Sequence, residues 1–287
     1  MKRFLLQLKN QTKEIRLHFQ SNNYNNNNNN NKCYTTTRLT NQNNNSNNNA
    51  NEDPLQCNIY PSRILKFKDP PIARPNPSVF TLPGLTSKPF YSGNEFNLKK
   101  DITNLITPEV VSKIREECLN MRKECKSDYE INETEHTLHG GKWEWHSYIL
   151  KGEKQPIFEK HCPSTTKFLN SIDLLQTQIP FAYSFFSSLM PYSDIDAHYG
   201  PTNLRLRCHL PLVVPDNCGI VVGGEAKEWK EGELMIFDDS YEHYVYHNGT
   251  TERILLLFDI WHPEIVEDEK IHIIDMFEQA KKQGWLK

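Results

Sequence analysis

Hydrophobic and polar residues alternate with a period of two from residue 203 to residue 212. The odd positions carry Arg205, Arg207 and His209, whereas leucine or cysteine occupies the even positions. A period of two is typical of a β-strand, because successive side chains point to opposite faces. The pattern therefore predicts a strand over residues 204–214 that has one apolar face and one cationic face.

A second apolar stretch, residues 242–261, is interrupted by Asn248 and Gly249, a pair that is common in the turns of β-hairpins. If the loop comprises residues 248–250, Val245 faces Arg253 across the hairpin, and His243 lies two positions away on the same face. We therefore predict that a histidine and an arginine share the inner face of one β-ribbon. Such a pair suits a metal ion beside an anionic ligand.

The remaining periodicity predicts further short strands with turn signals between them, and three helices. The predicted strands are 140–150, 181–190, 204–214, 218–223, 233–237, 242–247 and 253–261, and the predicted helices are 104–126, 165–176 and 264–283. Thr107 and Pro108 suit the N-cap and first position of the first helix. Short strands at this spacing predict a mainly β fold: a double-stranded β-helix (jelly roll, cupin-like) with flanking helices.

Composition divides the chain into three parts. Residues 1–52 are basic and rich in asparagine, with too few apolar residues to form a core, so we expect them to be disordered. Residues 53–100 are rich in proline and lack periodicity, which predicts an extended arm docked on the folded domain. Residues 101–287 contain the predicted jelly roll and a C-terminal helix.

Net charge and cysteine content indicate which partners and which cellular compartment to expect. The formal charge is −3, but residues 1–51 carry seven Lys/Arg and one acidic residue, which leaves the remainder at −9. An acidic folded region argues against nucleic acid as a partner. The seven scattered cysteines lack a Cys-x-x-Cys motif, and no apolar run reaches the length of a membrane span. We expect a soluble, cytoplasmic protein, with a mitochondrial presequence in residues 1–20 as the alternative.

Two histidines and an arginine have the spacing of a non-haem iron site. Such sites use two imidazoles, usually one carboxylate, and open positions for other ligands. His198 is predicted at the entrance of a strand, His243 follows 45 residues later, and Arg253 could hold the remote carboxylate of 2-oxoglutarate. The third ligand position is Gly200 rather than an acidic residue. Four aspartates could supply a carboxylate only with unusual geometry: Asp194, Asp196, Asp238 and Asp239.

Four motifs resemble those of one known family. They are His-x-Gly-Pro-Thr-Asn-x-Arg-Leu-Arg-x-His-Leu from His198, Trp-Lys-Glu-Gly-Glu at 229–233, Phe-Asp-Asp-Ser-Tyr-Glu-His at 237–243, and Asp-Ile-Trp-His-Pro at 259–263. Together with Arg253 they resemble the aspartyl/asparaginyl β-hydroxylases, closely over residues 187–264 and more weakly back to Trp143. Glycine at the third ligand position is itself a mark of that family.

The resemblance implies a 2-oxoglutarate- and Fe(II)-dependent dioxygenase, with O2 as the other co-substrate. His198 and His243 would bind iron, and Arg253, helped by Ser187, would hold the remote carboxylate of 2-oxoglutarate. The reaction would hydroxylate the β-carbon of an Asp or Asn side chain. The partner would be an Asp/Asn-containing protein, a peptide or a small molecule; no oligomeric state is predicted.

The remaining site residues implied by the resemblance lie on two predicted strands. Arg207 and His209 would bind the other end of the co-substrate or a carboxylate of the substrate. Trp145 would line the same pocket, with Trp143 as the alternative register.

Three other functions stay open from the sequence. An iron halogenase also lacks the carboxylate ligand and places a halide there. A catalytically inactive jelly roll would act as a binding module without its metal. A zinc or manganese cupin could use His243 and His247 as ligands.

Overall fold

The computed structural model describes residues 73–92, 95, 102–129 and 139–286. The predictions for residues 1–52, including the presequence, and for the first part of the Pro-rich arm lie outside the described residues. The chain from Ala73 onward forms one compact unit. Within the described ranges, no helix is long and apolar enough to span a membrane.

The described part of the chain contains twelve strands and four α-helices, and a short 3-10 helix spans Thr103–Leu105. The strands are β1 (Phe90–Tyr91), β2 (His139–Gly140), β3 (Trp143–Leu150), β4 (Glu153–Lys154), β5 (Ser184–Leu189), β6 (Asp194–His198), β7 (Arg205–Val213), β8 (Cys218–Val222), β9 (Glu225–Glu228), β10 (Met235–Phe237), β11 (His243–His247) and β12 (Arg253–Trp261). The helices are α1 (Pro108–Glu124), α2 (Pro156–His161), α3 (Pro163–Asn170) and α4 (Glu267–Lys282).

The strands form two sheets that face each other. One has seven strands in the order β1-β10-β7-β12-β5-β3-β4, and the other has five in the order β2-β6-β11-β8-β9. From β5 to β12, successive strands lie in opposite sheets, with one exception. Strands β8 and β9 form a hairpin within the five-stranded sheet. This is the double-stranded β-helix that the strand spacing predicts, with the helices outside it.

The hairpin prediction for residues 242–261 is wrong. Strand β11 pairs with β6 and β8, whereas β12 pairs with β5 and β7 in the other sheet. The turn at Asn248 and Gly249 therefore connects the two sheets. Gly249 packs so tightly that a Cβ there would lie 2.6 Å from the carbonyl oxygen of Asp216. His243 and Arg253 consequently approach from opposite sheets rather than along one ribbon.

Strand β7 has both faces buried. Its leucine face is buried completely, and α1 packs against this strand with its own buried stripe. That stripe comprises Val111, Ile114, Cys118 and Met121, and Thr107 caps the helix by accepting a hydrogen bond from the amide of Val110. The predicted N-cap is therefore confirmed. The other face of β7 points between the two sheets.

The helix α4 and the Pro-rich arm cover the outside of the sandwich. Phe277 of α4 makes edge contacts with Phe80 of the arm and with Phe181, at centroid distances of 5.9 and 5.5 Å. The arm ends in β1, which adds to the edge of the seven-stranded sheet. Ile273 and Phe277 form part of the buried face of α4, whereas Ile271 is exposed.

Candidate active site

A cavity lies between the two sheets, where the odd-numbered face of β7 meets β6, β8 and β11. Its lining residues are Trp143, Ser187, Ile195, His198, Arg207, His209, Ile220, Phe237, His243, Val245, Arg253 and Leu257. Six of the seven site residues predicted from the sequence line this cavity, and Trp145 does not. The fold therefore brings together predicted site residues that are as much as 66 positions apart in the chain.

The two histidines lie side by side because their strands are hydrogen-bonded neighbours. His198 pairs with His243 in the antiparallel register of β6 and β11, and the ring centroids are 4.1 Å apart. His198 is the last residue of β6, so the prediction that it stands at a strand entrance is wrong. The stretch Asp194-Ile-Asp-Ala-His has only one buried apolar residue, so its sequence pattern did not predict a strand.

The backbone sets the tautomer of both imidazoles. The Nδ1 atom of His198 lies 2.7 Å from the carbonyl oxygen of Asp196, and that of His243 lies 2.9 Å from the carbonyl oxygen of Tyr241. A carbonyl oxygen only accepts hydrogen bonds, so each Nδ1 carries the proton and donates it. Both rings then keep an Nε2 lone pair, which is how protein imidazoles bind a metal.

Both imidazoles are neutral in this environment. Burial lowers the pKa of His198 from its ordinary value, and burial together with nearby His198 lowers the pKa of His243 to about 3. A neutral imidazole needs no deprotonation before it binds a metal ion. The pair therefore offers two ready nitrogen ligands at neutral pH.

Gly200 adjoins a carboxylate that lies where its own side chain would point. A Cβ on Gly200 would lie 2.6 Å from both Cγ and Oδ2 of Asp239, and the Gly200 amide donates to the Asp239 carbonyl oxygen at 2.6 Å. Within the described residues, no group of three His, Cys, Asp or Glu side chains is arranged to hold a metal. Asp194 and Asp196 are exposed, and Asp238 bonds to Ser87 and Ser240.

Replacing Gly200 by Ala is expected to lower the free energy of unfolding by about 1–3 kcal/mol, because the new methyl group overpacks the site beside Asp239. Chemical denaturation of the metal-free full-length chain measures this change. A variant as stable as the wild type would show that the space beside Gly200 is larger than the structure indicates.

Arg205, which is buried, and Arg207, which is partly buried, form an ion-pair network with two buried aspartates. Arg205 donates to Asp239 and Asp259, and Arg207 donates to Asp259 through Nε at 2.8 Å and Nη2 at 3.1 Å. Burial alone would raise the pKa of Asp239, but the guanidinium groups of Arg205 and Arg207 outweigh it and hold that pKa below its ordinary value. The two arginines of the cationic face predicted for β7 are therefore paired with carboxylates, and of these two only Arg207 reaches the cavity, together with His209.

Arg253 differs from these two arginines because it has no carboxylate partner among the residues that the structure describes. It is 1% exposed, and burial lowers its pKa to about 10, so it stays charged at neutral pH. Its Nε has no hydrogen-bond partner in the described ranges. An unpaired buried charge is costly. An anion bound in the cavity would offset that cost.

The comparison with protein-family models gives a match to the aspartyl/asparaginyl β-hydroxylase model over residues 109–263, more than half of the chain. The chain belongs to this family. The mouse and Xenopus tropicalis proteins named aspartate β-hydroxylase domain-containing protein 2 are 32% and 31% identical to it, over 68% and 70% of this chain and 57% and 54% of theirs. The chain thus spans about half the length of these curated relatives.

The chain is also similar to two other hydroxylases. The mouse aspartyl/asparaginyl β-hydroxylase is 30% identical over 67% of this chain and 26% of that protein. Among solved structures, a Pseudomonas putida prolyl-4-hydroxylase is 15% identical, covers 55% of this chain and 89% of that chain, and has a TM-score of 0.36.

Ser187 of this β-hydroxylase family member is held as a hydrogen-bond donor toward the cavity. Its Oγ accepts from Arg253 Nη2 at 2.8 Å and from Trp143 Nε1 at 2.8 Å. A hydroxyl oxygen has two acceptor sites and one hydrogen. Because both acceptor sites are used, the hydroxyl hydrogen remains to be donated to a ligand.

The structure places Trp143, rather than Trp145, at the cavity. Trp145 pairs with Ser187 in the register of β3 and β5, but its ring stacks on Phe185 at 4.1 Å and contacts Tyr129. The alternation puts both indoles on one face of β3, and the direction of each ring decides which one reaches the cavity. Trp143 is the residue that was predicted as the alternative to Trp145.

Sequence reasoning missed the acidic partners of the β7 arginines. Asp259 lies opposite Arg207 in the register of β7 and β12, and Asp239 follows β10, the other neighbour of β7. The signal was present in the family motifs that contain both aspartates. Only the strand pairing shows that they form ion pairs with the arginines of β7.

Proposed function

We propose that the chain is a 2-oxoglutarate- and Fe(II)-dependent dioxygenase that hydroxylates the β-carbon of an Asp or Asn side chain in a protein, peptide or amino-acid substrate. The proposal rests on Arg253, a buried guanidinium without a carboxylate partner in the described residues, in the same cavity as two neutral histidines. The overall reaction converts 2-oxoglutarate, O2 and a C–H bond into succinate, CO2 and a C–OH group.

His198 and His243 fit a divalent iron, because both present an Nε2 lone pair from a backbone-fixed ring. Iron bound there would activate O2 for the oxidation. The chain would supply two ligands to the iron, and co-substrate, oxygen and water would supply the others. Gly200 has no side chain that could act as a ligand, and the Asp239 carboxylate, which lies against Gly200, stays paired with Arg205 and Arg207.

Arg253 and Ser187 would bind the remote carboxylate of 2-oxoglutarate. The planar guanidinium donates to both oxygens of a carboxylate at once, and the Ser187 hydroxyl adds a third donor. Arg253 is already held against Ser187 by a 2.8 Å hydrogen bond, so little side-chain freedom is lost on binding. The buried charge then acquires its counterion.

Arg207 and His209 would bind the other end of the co-substrate or a substrate carboxylate. Asp259 holds the Arg207 guanidinium by two hydrogen bonds, and Nη1 of Arg207 lies 3.5 Å from Oδ2 of Asp239. A bound carboxylate would share this guanidinium with the two aspartates. The name of the mouse aspartyl/asparaginyl β-hydroxylase supports Asp and Asn side chains as the substrate class.

The first test measures conversion of 2-oxoglutarate to succinate by the purified full-length chain with Fe(II) and O2. We expect succinate formation without an added prime substrate, since 2-oxoglutarate can turn over uncoupled, and we expect a chelator to abolish it. Addition of chloride and a search for chlorinated products distinguish a halogenase. If neither Fe(II) nor 2-oxoglutarate binds, the dioxygenase proposal fails and a binding module takes its place.

A further inference from the structure

Trp229, the first residue of the Trp-Lys-Glu-Gly-Glu motif, contacts two of the side chains that face the cavity. It follows β9 and is 3% exposed. Its indole Nε1 donates a hydrogen bond to Nδ1 of His209 at 3.2 Å. The Arg253 guanidinium carbon lies 5.2 Å from the centroid of the same indole, within the range of a cation–π contact. One buried side chain thus supports both His209 and Arg253.

The indole N–H decides which nitrogen of His209 carries the proton. An indole nitrogen only donates, so Nδ1 of His209 must accept, and a neutral imidazole then has its hydrogen on Nε2. His209 is 4% exposed and lines the cavity, and its Nε2 has no partner among the described residues. Burial, with Arg253 adding to it, holds the pKa of His209 well below its ordinary value, which keeps the ring neutral.

This arrangement leaves a buried N–H donor that the protein does not satisfy. A buried donor without a partner costs free energy that a ligand acceptor recovers on binding. The opposite tautomer would place two N–H groups against each other at Trp229 and would present a lone pair to the cavity. A lone pair there would repel a carboxylate or keto oxygen.

We propose that Trp229 is a positioning residue that holds His209 in the Nε2–H tautomer, so that the imidazole donates a hydrogen bond to an oxygen atom of the anionic co-substrate. The identity of that acceptor as 2-oxoglutarate rests on the proposed function, whereas the tautomer does not. Trp229 acts through His209 and needs no contact with the co-substrate itself.

The first experiment reads the tautomer directly from the imidazole 15N chemical shifts in the metal-free, full-length protein. We expect wild-type His209 to be protonated at Nε2 only, with Nδ1 as a hydrogen-bonded acceptor. Trp229→Phe keeps an aromatic ring but removes the donor, and should give a mixture of tautomers. Phe237→Leu is the matched control, because Phe237 packs against His209 at 4.9 Å without donating a hydrogen bond. It should keep the wild-type pattern.

The second experiment measures 2-oxoglutarate binding by calorimetry with Mn(II) in place of iron. Trp229→Phe should weaken binding by about fivefold to tenfold, the effect of about one hydrogen bond. In a His209→Ala background the same substitution should change the affinity no further, because the role of Trp229 is transmitted through His209. The retained phenyl ring keeps most of the packing against Arg253.

Two results would overturn the proposal. A proton on Nδ1 of wild-type His209 would exclude it even if Trp229→Phe failed to fold. An equal loss of affinity with and without His209 would show that Trp229 acts through Arg253 or through packing. If the wild type shows the Nε2–H tautomer but does not bind 2-oxoglutarate, the acceptor assignment fails together with the proposed function, and the tautomer assignment stands.

Discussion

Substituting His243 by Ala should abolish succinate formation and weaken Fe(II) binding by more than about 100-fold. Outer partners of metal ligands alone are worth about 10–100-fold in metal affinity, so loss of one of only two protein ligands should cost more. His243 is 3% exposed and its ring is fixed by the carbonyl oxygen of Tyr241, so the substitution removes a nitrogen that the fold holds in place. Metal titration and the succinate assay on the same protein preparation measure both effects.

His247→Ala is the matched control for this substitution. His247 is also buried, lies on the same strand four residues further on, and does not line the cavity. Its Nδ1 accepts a hydrogen bond from the Gly249 amide, so its replacement should lower stability but leave Fe(II) affinity of the folded protein unchanged. Loss of metal binding in this variant would instead support the cupin alternative, in which His243 and His247 bind the metal together.

The strands could be predicted from the sequence because most of them have a clear apolar pattern. Strand β7 was predicted within one residue at each end, and β12 matched its predicted range. The pairing of β12 was not predictable in the same way. All nine of its residues are buried, so its apolar run fits a central strand, and a turn at Asn248 and Gly249 fits both a hairpin and a connection between sheets.

The components of the candidate site were predictable, but their electrostatics were not. Alternation on β7 gave the residues that share a face with Arg207, and the motif spacing gave the two histidines. The charge of that face depends on Asp259, which lies across a strand pair, and on Asp239, which follows β10. Neither pairing is visible in the local pattern. Both arginines of the predicted cationic face have carboxylate partners, whereas Arg253 on β12 has none among the described residues.

The second large effect concerns Arg253→Met, which should raise the dissociation constant of 2-oxoglutarate by about two orders of magnitude or more. Loss of one partner of a buried charge pair costs about 2–5 kcal/mol in binding. The same substitution should raise the free energy of unfolding of the metal-free protein by about 1–3 kcal/mol, because it removes a buried charge without a carboxylate partner in the described residues. Calorimetry and chemical denaturation measure the two changes.

Arg205→Met is the matched control, since Arg205 is equally buried on a strand of the same sheet but donates to Asp239 and Asp259. Its loss leaves two buried carboxylates with Arg207 as their remaining arginine partner. It should therefore lower the free energy of unfolding by about 3–5 kcal/mol. The two substitutions therefore have opposite expected signs, although they remove the same group. If Arg253→Met destabilises the free protein as much as Arg205→Met does, Arg253 is a structural residue. The guanidinium then does not serve as an anion site, and the observation that carries the proposed function is lost.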